Sequence, residues 1–334
     1  MKRLIIVALV LVGLWCGWWV VASVGLKRGI EAWLDDRRAD GWVAEASDVS
    51  VGGFPYRFDT RFRDLSLADP ETGLAWSLPV FDLTALAYQP AHVIAFWPDA
   101  QTIRTPEERL DVTSETFEGS VVMVPGPDLA LREMRLVLAD VAVASDAGYD
   151  TGLAGGQVAV ARVDEADPNT YRLGAHATDV LVADPVRQAL DPAGALPDLL
   201  ALLNLDARVT FDAPWDRHAV EDRRPQPVAI DLTDLTANWG DLELRAAGEL
   251  QIDPDGVADG LITVKAVNWR EILGLAVAAG AVPEGMAGTI ESGLGFLARL
   301  SGPPETLDAP LTFSGGRISL GPVPLGAAPV FRLR

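Results

Sequence analysis

The sequence predicts a mainly β protein, a long antiparallel sheet with a few helices, preceded by one N-terminal transmembrane helix. Three observations carry this. Residues 4–26 form an uncharged apolar run of 23 residues. From residue 54 the apolar residues recur with a period of two, over and over. Helical periodicity is confined to a few short stretches, the clearest at residues 268–300.

The apolar run comes first. It opens on Leu4 and closes on Leu26, with Lys2 and Arg3 before it and Lys27 and Arg28 after it. A helix of that length is ~35 Å long, enough to cross a hydrocarbon core of ~30 Å. Val21, Ala22 and Ser23 weakly resemble a signal-peptidase site. The run is longer than a signal-peptide core and bulky where such a core ends, so an uncleaved anchor is expected. Trp15, Trp18 and Trp19 fit an interfacial aromatic belt. The short basic N terminus is expected to stay cytoplasmic and the body to lie outside. Cys16, the sole cysteine, follows Trp15 rather than a small residue, which argues against lipidation.

The formal net charge is −20, and residues 1–28 hold four Lys/Arg and no acid. The remainder therefore has 23 bases against 47 acids. A body this acidic repels nucleic acid and anionic headgroups, so nucleic acid is excluded as a partner. With its one cysteine inside the apolar run, the body has no disulfide and no cysteine metal site.

Beyond Arg28, Ile30, Trp33 and Leu34 share one face of a helical stretch that extends the anchor to about Gly41. Then the period changes. Phe54, Tyr56, Phe58 and Phe62 fall on one face, with Arg57, Asp59, Arg61 and Arg63 on the other, as in a half-buried strand. Pro55 limits this strand to a start or an edge. Leu65 and Leu67 continue it past Asp64. Similar alternating runs follow to residue 182, separated by Pro- and Gly-bearing turns. A short helix is expected at residues 197–203, from Pro197 and the leucines behind it. Residues 205–212 are a two-faced strand, and 215–227 a charged exposed loop. Strands resume at 228–235, 242–252 and 261–267, with a turn at Asp253, Pro254, Asp255 and Gly256. Asn268 is expected to cap a helix that Gly280 stops. A second helix runs from about Glu284 to Leu300, and a hairpin closes the chain. Three regions result: an anchor at 1–28, a first β-rich half at 29–204, and a second at 205–334 containing the two helices near 268–300.

No chemistry-bearing constellation emerges. His92, His176 and His218 stand in no metal-binding spacing and near no nucleophile motif. The turn at residues 253–256 lacks the ligand ladder of a calcium loop. The stretch 152–156 lacks the lysine and helix of a phosphate loop. No catalytic residue, cofactor or metal ligand is expected. The alternation leaves one apolar sheet face, to be covered by a second layer, by helices or by a ligand. Phe54, Tyr56, Phe58 and Phe62 are the candidate lining of an apolar groove near the membrane; the other reading is plain β-sandwich core, which periodicity alone favours. Trp76, Trp97, Trp215, Trp239 and Trp269 are open to the same two readings.

The run Gly52-Gly53-Phe54-Pro55-Tyr56-Arg57-Phe58 resembles a bacterial family of uncharacterised, inner-membrane-anchored proteins. Ala237-Asn238-Trp239, Gly248-Glu249-Leu250 and Val267-Asn268-Trp269 fit it too. The close, Phe313-Ser314-Gly315-Gly316-Arg317-Ile318-Ser319-Leu320-Gly321-Pro322-Val323-Pro324-Leu325, resembles the terminal pattern of the broader AsmA-like group. The resemblance covers nearly the whole chain, through structural rather than catalytic motifs. It implies an extended, curved sheet with an apolar groove, held in the periplasm by the anchor, and a part in phospholipid movement and envelope integrity. The chain is much shorter than the long bridging members of that group, which speaks against spanning a periplasm alone.

The expectation is thus a single-pass, inner-membrane-anchored, non-enzymatic periplasmic protein. Its partners would be the membrane and a phospholipid or other apolar ligand bound in a β-groove; no protein partner is identifiable. The alternative is a structural or interaction module of an envelope complex with a closed β core.

Overall fold

The computed structural model describes residues 1–334 apart from 192, 193, 195, 222, 281, 283, 302, 322 and 334; for 220, 221, 300, 301 and 323 only the backbone is described. Pro322 of the C-terminal motif thus lies outside the described residues. The protein is mainly β, 51% strand against 23% helix, and its strands pair antiparallel. It forms two compact units, one of Met1–Met123 with Asp140–Gly148, the other of Val124–Ala139 with Tyr149–Arg334.

The first unit opens on helix α1, Lys2–Ala39. Its apolar segment is long enough to cross a membrane. No helix-breaking proline interrupts it, and it runs past Arg28 because Ile30 and Leu34 find a buried partner surface. Strands β1 (Val43–Glu45), β2 (Asp48–Gly52), β3 (Arg57–Asp69), β4 (Leu74–Leu86), β5 (Gln89–Phe96), β6 (Ala100–Arg104), β7 (Arg109–Thr113) and β8 (Thr116–Met123) follow. The last strand of this unit is the C-terminal part of β9, Leu131–Ser145. β1 and β2 share one edge of β3. β4 lies on the other edge and then divides its pairing, Asp82–Leu86 with β5 and Ala75–Ser77 with β6. β8 extends the β5 branch, β7 and β9 the β6 branch.

The second unit is an antiparallel meander in sequence order. It runs through β10 (Asp150–Arg162), β11 (Thr170–Leu181), β12 (Leu199–Phe211), β13 (Pro227–Trp239), β14 (Leu242–Ile252), β15 (Ala258–Val267), β16 (Thr306–Ser314), β17 (Arg317–Leu320) and β18 (Val323–Ala327). Helices α2 (Asp184–Leu190) and α3 (Arg217–Glu221) are short insertions. α4 (Trp269–Ala278) and α5 (Glu284–Ser301) cover one face of the sheet. Trp269, Ile290, Leu294 and Ala298 pack there on Ala266, Leu307, Ala309 and Leu320. The apolar face of α5, glycines notwithstanding, is fixed by this burial rather than by propensity.

Three local expectations are corrected. The leucines after Pro197 form strand, not helix. Strand neighbours on both sides capture them: Leu199 pairs Leu181 of β11, and Leu202 pairs Asn238 of β13. The loop at 215–227 contains α3. Asn268 precedes α4 in the left-handed region but its side chain does not cap the helix; its Nδ2 donates to the Asp241 carbonyl.

Candidate apolar site of the first unit

The site begins with a change of phase. Phe62 pairs Phe81, but three residues on Leu65 pairs Leu78, and Leu67 pairs Trp76. Asp64, at φ +47°, interrupts the alternation of β3 between the first two pairs. β4 changes phase at the same level, between Leu78 and Phe81, with the register unbroken, so both strands keep their apolar side chains on one face. α1 lies over that face and buries Leu34 there, with Phe62, Leu65 and Leu78.

Helix and sheet do not close completely. Between them runs a trough of about 400 Å³, lined by Leu26, Gly29, Ile30 and Trp33 of α1 and by Phe62, Leu65, Leu67, Trp76, Phe81 and Leu83. No charged side chain lines it. A neighbouring depression of about 500 Å³ shares Leu67 and Trp76 and adds Trp42, Trp97, Ile103 and Phe117. Aromatic contacts link the two. Phe81 touches Phe62 at 6.0 Å, Trp76 at 5.7 Å and Trp97 at 5.2 Å between ring centroids, and Trp97 touches Phe117 at 4.8 Å. The Trp76 indole donates to Gln101 Oε1 at 2.7 Å, which fixes the ring without placing a charge at the wall.

The opposite face of β3 and β4 is polar. Arg61 makes two 2.7 Å bonds to the Asp82 carboxylate, which raises the guanidinium pKa further, and Arg57 pairs Asp59 at 3.1 Å. These exposed pairs hold the sheet side in water and add little stability. Among the described residues, no group of three or more His, Cys, Asp or Glu side chains could hold a metal ion. An apolar cleft with a few fixed polar atoms can bind and desolvate an apolar ligand.

The structure distributes the sequence-predicted residues over three places. Phe62 lines the trough. Phe58, buried with Ala87, packs under the anchor against Trp19, ring centroids 5.8 Å apart. Phe54 and Tyr56 lie before β3, in a turn that contains a cis Phe54–Pro55 bond, and are 56% and 66% exposed. Of the anchor residues, Leu4 is exposed and Leu26 reaches the trough. Trp15 and Trp19 face the body: their indoles donate to the carbonyls of Pro55 at 3.0 Å and Arg57 at 2.9 Å. Trp18 makes tilted ring contacts with Trp15 and Phe58. Trp33, Leu67, Phe81 and Leu83 were not singled out as lining. The shared face of Ile30, Trp33 and Leu34, and the continuation of the strand through Leu65 and Leu67, are the sequence signals that point to them.

Fold and site together define a β-rich protein with an N-terminal helix of membrane-span type, whose first unit holds an apolar trough under that helix. The chain belongs to the bacterial family described as "Uncharacterized protein conserved in bacteria (DUF2125)", whose model matches residues 19–329. No curated protein matches the chain, and no solved structure does.

Proposed function

We propose that this protein is a single-pass inner-membrane protein with a periplasmic body, and that its trough takes an acyl chain of a phospholipid, or a ligand of like apolarity, in envelope lipid transport or homeostasis. The observation that carries the reading is the trough's position and chemistry together. Its helical wall starts at Leu26, the last residue of the apolar span, and continues to Trp33 beyond it. A lipid leaving the bilayer beside α1 would meet an uncharged wall at once. The volumes of about 400 and 500 Å³ fall within the ~300–1,000 Å³ of small-molecule sites. Burial of chain surface, at ~25 cal/mol per Å², would drive uptake without any catalytic group. The resemblance of the C-terminal motif to the AsmA-like group points the same way.

Retention of the anchor is part of the reading. A cut between Ala22 and Ser23 would remove Trp15 and Trp19 from the Pro55 and Arg57 carbonyls and uncover Phe58. One observation favours the alternative, a closed-core interaction module: in the second unit α4 and α5 cover the sheet. The test uses the full chain, stripped of lipid in detergent and offered a phospholipid with a photoactivatable acyl chain. Adducts on Trp33, Trp76 or Leu83 are expected. Adducts absent, or confined to residues 4–14, would overturn the lipid-site reading and leave the interaction module.

A further inference from the structure

We infer that the turn at residues 53–56, together with Tyr88, is an aromatic wedge that inserts into the leaflet through which α1 leaves the bilayer. The inference rests on α1 spanning a membrane, as the proposed function does, but not on lipid in the trough. The first observation is depth. Trp15 and Trp19, which bond the Pro55 and Arg57 carbonyls, lie inside the 23-residue apolar span rather than beyond it. At ~1.5 Å per residue they stand ~16 and ~22 Å from Leu4 along the axis. In a hydrocarbon core of ~30 Å they are ~14 and ~8 Å short of the exit, and helix tilt only deepens them. Groups bonded to them must enter the membrane with them.

The second observation is composition. Phe54, Tyr56 and Tyr88 are 56%, 66% and 66% exposed; Phe54 also meets the Trp19 ring edge-on at 5.2 Å, so the tip presents three aromatic rings beside the anchor. The two turns are tied there by the Ala87 N–H, which donates to the Tyr56 carbonyl at 2.8 Å. Tyrosine suits the boundary of the acyl region, its ring apolar and its hydroxyl able to seek a polar partner.

The third is backbone satisfaction. Each backbone polar group that already has a partner lowers the cost of taking non-helical backbone into a bilayer. The Gly53 carbonyl accepts from the N–H groups of Tyr56 and Arg57, Pro55 from Trp15, Tyr56 from Ala87 and Arg57 from Trp19; Pro55 has no N–H. A solvated loop has no need of two tryptophan indoles on its carbonyls. Interfacial elements bury to ~5–10 Å, which matches the ~8 Å of Trp19 and its Arg57 partner; the Pro55 carbonyl, held by Trp15, is carried deeper. The wedge would set the height of the trough above the leaflet.

The full chain carrying Cys16→Ala is labelled at a single new cysteine with an environment-sensitive fluorophore and reconstituted into phosphatidylcholine–phosphatidylglycerol vesicles containing spin-labelled lipid. Val10→Cys reports the anchor, Tyr88→Cys or Tyr56→Cys the tip. Glu71→Cys reports the far end of β3, ~40 Å along the strand. The wedge predicts blue-shifted emission at Tyr88 and Tyr56, with quenching that approaches Val10 and is strongest for spin labels near the headgroup, and no quenching at Glu71. Quenching at Val10 with none at either tip position overturns the wedge and leaves the anchor standing. No quenching at Val10 overturns both.

Discussion

Filling the trough from its helical side separates ligand binding from folding. Gly29 lines the trough, and a Cβ added there would meet nothing within 4 Å. Gly29→Phe therefore starts its side chain without a clash on the trough wall. The helix gains rather than loses, since glycine inside a helix costs ~0.5–1 kcal/mol. A phenylalanine buries ~150–250 Å² when fully packed. If it displaces ~100 Å² of ligand surface, the loss is ~2.5 kcal/mol, or ~70-fold in affinity. Gly25→Phe is the matched control. It too would meet nothing within 4 Å, but Gly25 does not line the trough. Uptake of a fluorescent phospholipid by the full chain in detergent gives the readout, with thermal unfolding followed in parallel. Gly29→Phe should lose uptake at an unchanged or higher unfolding temperature, while Gly25→Phe keeps it. Equal uptake by the two variants, both folded, would refute the trough as the binding site.

Two further expectations concern the second unit. Ile290 is fully buried between α5 and the sheet, so Ile290→Ala should cost ~2–5 kcal/mol and lower the urea midpoint; a loss under ~1 kcal/mol would mean that α5 is not docked. Arg172 holds the Asp206 carboxyl below its usual range through bonds of 2.8 and 2.6 Å. With the folded pKa depressed, this pair's contribution is present above the unfolded pKa of ~3.9 and is lost as pH falls through the folded value. The urea midpoint of wild type should fall more steeply below pH ~4 than that of Asp206→Asn, and the two should run parallel above pH ~5. Parallel curves across the whole acid range would remove the pair from the account.

Strand and helix identity were legible where one local signal dominated. The uncharged run after Lys2, the period-two aromatics around Phe58 and the Gly280 stop each act within a few residues. Pairing was not legible. The leucines at 199–203 satisfy a helical and a strand pattern alike, and only neighbours Leu181 and Asn238 decide between them. The division of β4 between β5 and β6 likewise depends on contacts distant in sequence. Parity carried the site reading only part of the way. Phe54 and Tyr56 share the parity of Phe58, yet β3 starts at Arg57, and in the turn before it Tyr56 is exposed and Phe54 meets Trp19 of the anchor edge-on. Asp64 shifts the phase after Phe62, so the trough gathers Leu65 and Leu67 instead. The tryptophans of the anchor read as a belt because composition records what a residue is, not what it bonds. That Trp15 and Trp19 serve carbonyls some 40 residues away is a tertiary fact.

The central claim is that the trough beside α1 holds an apolar chain in the living cell. A photoreactive benzoylphenylalanine placed at Leu83 of the full chain, irradiated in bacteria and followed by mass spectrometry of the purified protein, tests it most directly. The account predicts a covalent phospholipid adduct at Leu83 that Gly29→Phe abolishes. An unmodified protein, or a protein partner captured in place of lipid, would contradict it.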